Sequence, residues 1–106
     1  MTVAPVRGQI YRVDIGYGAK PWLIVSNNRR NRNLSDVLAV RITTTQKNIE
    51  LPTWVRLGPD DPLVGCINTD DLQQLGRDEL GELLGVLAPR TIMRVNEALR
   101  LVLALP

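Results

Sequence analysis

Two short apolar runs that each end in small polar residues constrain the fold of this chain more than any other feature. Lys20-Pro21-Trp22-Leu23-Ile24-Val25 closes on Ser26-Asn27-Asn28, and Val37 to Ile42 closes on Thr43-Thr44-Thr45. Runs of this length, rich in β-branched residues and bounded by polar clusters, read as strands. As neighbouring strands they turn the two clusters into two polar rims. Between Lys20 and Lys47 the basic residues Lys20, Arg29, Arg30, Arg32, Arg41 and Lys47 face a single acid, Asp36. Polar rims under a positive field suit a backbone of phosphates better than a hydrophobic ligand.

The remaining segments fit a mainly β chain. Gln9 to Ile15 alternates and is β-rich, and Gly16-Tyr17-Gly18 breaks it. The second strand spans Trp22 to Ser26, with Pro21 tolerated at its first position. Asn27 to Asp36 is asparagine-rich with three arginines, which is loop chemistry, and a loop this long is often functional. Val37 to Thr43 is the third strand. Its alternation sets Leu38, Val40 and Ile42 on a core face, and Ala39, Arg41, Thr43 and Thr45 on a face for solvent, a groove or a partner. Trp54 to Leu57 and Val64 to Asn68 are further strands around the turn Gly58-Pro59-Asp60. A helical turn at Gly76 to Leu80 and a short strand at Leu83 to Leu87 precede a helix with Pro89 at its first position. Ile92, Val95, Leu99 and Val102 fall on one face of that helix. Many short strands followed by one helix suggest a small antiparallel barrel or curled sheet with the helix packed against it.

Composition removes several classes of function. A chain of 106 residues with 44% hydrophobic and 23% charged residues is expected to form one globular domain over its whole length. Its apolar stretches are too short to span a bilayer, and the N-terminus lacks the apolar core of a signal peptide, so a cytoplasmic protein is expected. The lone Cys66 sits in a strand pattern and reads as a buried structural thiol. There is no histidine. That excludes Ser-His and Cys-His nucleophile pairs, imidazole acid–base catalysis and histidine metal sites. No phosphate-binding glycine motif or metal-ligand cluster is present, so no cofactor and no metal are expected. The net charge of +2 hides an asymmetry: Asp60 to Glu82 is acidic, whereas the first half is basic.

What remains is Lys20 after a tight turn, Thr43 and its neighbours at one strand end, and Asn27-Asn28 at another. Cleaving RNA needs little more. The ribose 2′-hydroxyl is the nucleophile, so the protein must orient it, stabilise the pentacoordinate phosphorane and move two protons. A cation and a hydroxyl donor aimed at the phosphate supply much of this. Taken singly, Thr43 is an ordinary strand threonine and Lys20 a solvated surface lysine. Spacing alone gives a basic groove with RNA as one candidate ligand.

Arg7-Gly8-Gln9-Ile10-Tyr11, the glycine turn, Lys20 to Asn28, Ile42-Thr43-Thr44 and Leu51-Pro52-Thr53-Trp54-Val55 occur in an order that resembles the MazF/PemK family of toxin endoribonucleases. The similarity covers most of the chain, including the helix with Val95-Asn96-Glu97-Ala98-Leu99. The resemblance implies an SH3-like barrel with added helices and a homodimer. It implies metal-independent, sequence-selective cleavage of single-stranded RNA to 2′,3′-cyclic phosphate and 5′-hydroxyl ends. It also implies a cognate antitoxin with an acidic tail that fills the RNA groove. The family's catalytic arginine and threonine map onto Lys20 and Thr43. The threonine matches. Lysine replaces the arginine, and a lysine cannot form a bidentate guanidinium contact. The expected RNA contacts are Tyr17, Gly18, Ser26, Asn27, Asn28, Arg29, Arg30, Arg32, Arg41, Thr44 and Thr45. Two other classes fit the basic groove: a gyrase-binding toxin of the CcdB type, and a non-catalytic barrel that binds nucleic acid.

Overall fold

The computed structural model describes residues 3–106. Its elements in chain order are β1 (Gln9–Asp14), β2 (Ala19–Ile24), α1 (Asn28–Asn33), β3 (Asp36–Thr43), β4 (Trp54–Arg56), β5 (Cys66–Gly76), β6 (Leu83–Val86) and α2 (Pro89–Leu103), with one 3-10 turn at Arg77–Glu79. The six strands form one antiparallel sheet in the order β4-β5-β3-β2-β1-β6. β4 and β6 remain its edges, so the barrel expected from the sequence is a curled half-barrel with a C-terminal helix.

The sheet buries apolar residues on both faces. On one, Ile10, Leu23, Val40, Ile42, Val55 and Ile67 pack against Val95, Ala98 and Leu99 of α2. On the other, Val13, Trp22, Ile24, Val37, Ala39 and Leu75 form a second cluster, backed by Tyr11 and Leu80. The expectation for β3 was therefore half right. Val40 and Ile42 are core as expected, but Val37 and Ala39 are also buried, on the face assigned to solvent or a groove. That face is open only further along, where Arg41 and Thr43 are half-buried. The Pro89 helix holds as read, with Val95 and Leu99 buried. Cys66 is buried in its strand.

Two elements differ from the sequence reading. Asn27 to Asp36 is not a loop. Asn27 caps α1, its Oδ1 accepting from the Arg29 N–H at 2.8 Å, so the asparagine that suggests a loop in fact starts a helix. β5 does not stop at Asn68 but runs for 11 residues to Gly76. Asp70, Asp71, Gln73 and Gln74 are poor strand formers, and pairing with β3 along the whole length of β5 overrides their propensity.

Pro21 is not the first residue of β2 but its third, opposite Arg12 of β1. The Arg12 N–H points away from β2 and donates to the Glu82 carbonyl at 2.9 Å. By alternation, the nitrogen of Pro21 points toward β3. The β2–β3 ladder runs Ile24↔Ala39, Leu23↔Val40, Trp22↔Arg41 and ends there. The next pair would need an N–H that proline lacks. The two strands therefore separate at Pro21 and Ile42.

Asp61 ties α2 to the sheet. Its carboxylate accepts from the Gly58 N–H at 2.6 Å, the Ala88 N–H at 2.8 Å and the Thr91 hydroxyl at 2.7 Å. Burial alone would push the Asp61 carboxyl up. The hydrogen bonds from Gly58, Thr91 and Ala88, with the field of Arg94, outweigh it and hold the carboxyl below its ordinary range. A depressed carboxylate stabilises the fold above its unfolded pKa, and the contribution fades as pH falls through the folded value. Asp61→Ala is expected to lower stability at neutral pH by about 1–3 kcal/mol. Urea titrations at pH 7 and at pH 3 should show the gap between variant and wild type shrinking at the lower pH.

Candidate active site

Where β2 and β3 separate, a cleft of about 450 Å³ opens. Its walls include Arg12, Lys20, Arg41, Thr43 and Thr44, and its apolar side is Leu63, Val64 and Leu84. Antiparallel pairing brings the start of β2 beside the end of β3, which is why Lys20 and Thr43 share this cleft. Lys20 is exposed and Thr43 half-buried. The Thr43 Oγ1 accepts from the Thr45 N–H at 3.2 Å. That bond uses a lone pair and leaves the hydroxyl proton free to donate. Gly65 supports the threonine from behind. Its φ is +129°, and a Cβ there would run into the Thr43 carbonyl, so the close approach of the two backbones requires glycine.

Arg41 borders this cleft and also a second cavity of about 220 Å³ formed with Ile15, Tyr17, Gly18, Lys20, Trp22, Asp71 and Gln73. The Arg41 Nε lies 3.5 Å from the Asp71 Oδ2, and the Gln73 amide donates to Asp71 Oδ1 at 2.9 Å. Tyr17 is 81% exposed at the tip of the β1–β2 turn. The turn is held by Asp14, whose Oδ1 accepts from the N–H groups of Gly16 and Gly18. Asp71, Gln73 and Arg12 had no part in the sequence reading. Asp71 was hidden in an acidic stretch that read as a solvated face, and only the full length of β5 carries it to Arg41.

The other polar rim lies elsewhere. Ser26 follows the end of β2, so it is a strand length, about 20 Å, from the Lys20 end. Its residues are engaged locally. Ser26 is buried; its hydroxyl bonds the Asn31 side chain and accepts from the Leu38 N–H at 3.0 Å. The Asn31 amide returns a bond to the Ser26 carbonyl at 3.0 Å. The Asn28 side chain accepts from the Arg7 N–H at 2.6 Å. Arg30 pairs with Asp36 at 2.6 Å, and this hydrogen bond, with one from Gln74, holds the Asp36 carboxyl below its ordinary range. Only Arg29 and Arg32 of the three helix arginines point freely into solvent. Thr44 lines the cleft beside Thr43, and Thr45 is exposed next to it. Among the described residues there is no group of three or more acidic or cysteine side chains placed to hold a metal ion. No helix among them is long and apolar enough to cross a membrane.

A curled half-barrel with a C-terminal helix and a cationic cleft at its strand ends, carrying a lysine and a threonine hydroxyl, defines a small β class with a site suited to a polyanion. Comparison narrows it. Residues 6–103 match the model of the PemK-like, MazF-like toxin of type II toxin-antitoxin systems, and the chain belongs to that family. It is 59% identical over 103 residues to the endoribonuclease MazF1 of Mycobacterium bovis, covering 97% of this chain and 96% of that protein. The endoribonuclease MazF4 of Mycobacterium tuberculosis matches with the same identity and coverage. A mycobacterial endoribonuclease solved in complex with its cognate antitoxin superimposes with a TM-score of 0.93 at 58% identity, over 97% of this chain and 98% of that one. The MazE–MazF complex of Deinococcus radiodurans, at 20% identity and a TM-score of 0.84 over 99% of this chain and all of the other, shares the fold.

The local pairing of the helix arginines has a direct consequence. Arg30→Gln should lower the urea midpoint of unfolding, because it leaves Asp36 without its guanidinium. Arg29→Gln and Arg32→Gln should leave the midpoint within error, as for other exposed surface positions. Equal losses for all three would show that the Arg30–Asp36 pair does not hold α1 to β3.

Proposed function

We propose that this MazF-type toxin endoribonuclease cleaves single-stranded RNA without a metal ion, with Lys20 and Thr43 at the reacting phosphate. The observation that carries the reading is their placement in one cleft bounded by two further cations, Arg12 and Arg41. The RNA 2′-hydroxyl attacks the adjacent phosphorus as the bond from phosphorus to the 5′-oxygen breaks. The 2′ proton leaves to a base, and the departing 5′-oxygen gains one, so the products are a 2′,3′-cyclic phosphate and a 5′-hydroxyl. Lys20 and Arg41 offset the charge that builds on the phosphorane. The free Thr43 proton donates to one of its oxygens. An ammonium left exposed to solvent suits a role as a charge rather than as a proton carrier.

The same reading covers the partners. Thr44 in the cleft, the exposed Thr45 that follows it, and Tyr17 and Gly18 at the adjoining cavity would contact the RNA. Arg29 and Arg32, at the far end of the strands, would steer the polyanion. A cationic cleft is also a receptor for an acidic antitoxin segment, in keeping with the mycobacterial relative solved with its cognate antitoxin. Val64 is 84% exposed beside the cleft, and Leu83 and Val86 are exposed on the β6 edge. These apolar residues support a homodimer built next to the site. The protein would act in the cytoplasm, where RNA and antitoxin are made.

The test is cleavage of single-stranded RNA in EDTA, with analysis of the product ends. Cyclic phosphate and 5′-hydroxyl ends formed at an undiminished rate are expected; 3′-hydroxyl ends or loss of activity in EDTA would overturn the chemistry. Binding without any cleavage would return the chain to a non-catalytic binding role. Thr43→Ala should lower the single-turnover rate by about 10²-fold or more with little change in RNA affinity. Lys20→Ala should nearly abolish cleavage and Lys20→Arg retain it. A Lys20→Arg variant as inactive as alanine would instead assign proton transfer to the lysine, because a guanidinium hardly gives up its proton.

A further inference from the structure

A wide cavity of about 1140 Å³ lies away from the cleft, where β3 begins and β5 ends. Asp36 and Gly76 are cross-strand partners there, and the Arg77 N–H donates to the Ser35 carbonyl at 2.9 Å. The whole of β3 separates Asp36 at this cavity from Thr43 at the cleft, roughly 23 Å of strand. No residue lines both.

Two arginines reach this cavity from different elements, Arg32 from the last turn of α1 and Arg77 from the 3-10 turn. Among the described residues neither has a counter-ion: the ion pairs are Arg12–Glu82, Arg30–Asp36, Arg41–Asp71 and Glu97–Arg100. Arg77 is half-buried. The sealed side-chain donors without a partner are Trp22 Nε1 and Arg41 Nε, so the Arg77 nitrogens remain open to the cavity. A half-buried cation without a partner is costly until an anion joins it.

The acids of this wall are already placed. Asp36 is taken by Arg30 at 2.6 Å. Glu79 turns away to accept from the Gly76 N–H at 2.7 Å. Asp78 folds over Gly76, where a Cβ would lie 2.6 Å from its Oδ1. It is the one lining carboxylate without a guanidinium, and it can accept from hydroxyl or amino groups. The remaining wall is apolar, with Pro5, Leu80 and the half-buried Tyr11 ring. The Tyr11 hydroxyl already donates to the Gln9 Oε1 at 3.0 Å, so Tyr11 offers the cavity mainly its ring.

We propose that this cavity is a second ligand site, for a free nucleoside phosphate. Arg32 and Arg77 take the phosphate, since paired guanidinium groups match its oxygens. The planar base lies on Tyr11 and Leu80. Asp78 accepts from the ribose hydroxyls, groups that inorganic phosphate lacks. The volume suits a small ligand with room for water. The inference stands apart from the RNA-cleaving reading, because it uses no residue of the cleft.

The experiment is a proton–nitrogen correlation NMR titration of the full chain with AMP, GMP and UMP in turn. Inorganic phosphate and adenosine serve as the two halves of the ligand. At least one nucleotide should bind ~10-fold or more tightly than either half. It should shift the amides of Ser35, Gly76, Arg77 and Gly81 and leave those of Thr43 and Thr44 in place. Arg77→Gln and Arg32→Gln should each weaken nucleotide binding at least ~10-fold. Neither side chain pairs within the fold, so both variants should keep the wild-type urea midpoint. Thr43→Ala should bind the nucleotide as wild type does. Shifts gathered at Thr43 and Thr44 would place the nucleotide in the cleft and overturn the site. Phosphate binding as tightly as the nucleotides, or no nucleotide binding below about 10 mM, would also overturn it. So would displacement of the nucleotide by an uncleavable single-stranded DNA oligonucleotide, which would make the cavity an extension of the RNA surface.

Discussion

The cleft exists because the β2–β3 ladder stops, and it stops where Pro21 cannot offer an N–H to the strand beside it. Up to Trp22 the strands are bonded and their apolar residues lock into two cores. Past it β3 runs on to Thr43 without β2, still paired with β5 as far as Cys66. A residue that could donate would extend the ladder and draw the strand ends together, closing the gap between Lys20 and Thr43. Gly65 complements the proline from the other side, letting the β5 backbone approach the Thr43 carbonyl closely. Site geometry here is thus set by backbone hydrogen bonding at one proline and one glycine, and the charged side chains decorate an opening already made.

Charge around that opening is mixed. Lys20, Arg12 and Arg41 give a field suited to phosphates, yet Asp71 stands among them and is steadied by Gln73. A purely electrostatic trap for RNA would carry no such acid. Asp71 lies 3.5 Å from the Arg41 Nε on the side of the adjoining cavity, where it partly offsets the guanidinium charge. The lysine at position 20 supplies charge of another shape. A compact ammonium places charge without the planar fork of a guanidinium, and Arg41 keeps a guanidinium nearby.

The opposite end of the same strands uses similar residue types for structure. Ser26, Asn31 and the Leu38 N–H form a closed buried network, Asn27 caps α1, and Arg30 binds Asp36. The buried polar groups there are all bonded within the fold, and only Arg29 and Arg32 of the helix arginines remain in solvent. Satisfied polar groups of this kind rigidify a fold, which suits them to holding α1 against the sheet.

The order of local elements was legible from residue pattern alone. Alternation marked β1 and β3, proline and an apolar stripe marked α2, and the missing histidines removed whole classes of chemistry. Lys20 opens one apolar run and Thr43 closes the other, but taken singly they read as a surface lysine and an ordinary strand threonine, and only the family resemblance singles them out as a pair. Tertiary structure decided the rest. The sequence offers two polar clusters of equal appearance, and antiparallel pairing sends them to opposite ends of the sheet. Asn27 to Asn33 has loop composition, and the Asn27 cap, which accepts from the Arg29 and Arg30 N–H groups, together with packing on β3 makes it a helix. Asp71 and Gln73 look like solvated polar residues until β5, held along its length by β3, carries them to Arg41. Local propensity acts over a few residues and can be read along the chain. Which strand end meets which is fixed by long-range pairing and burial, and only the folded sheet states it.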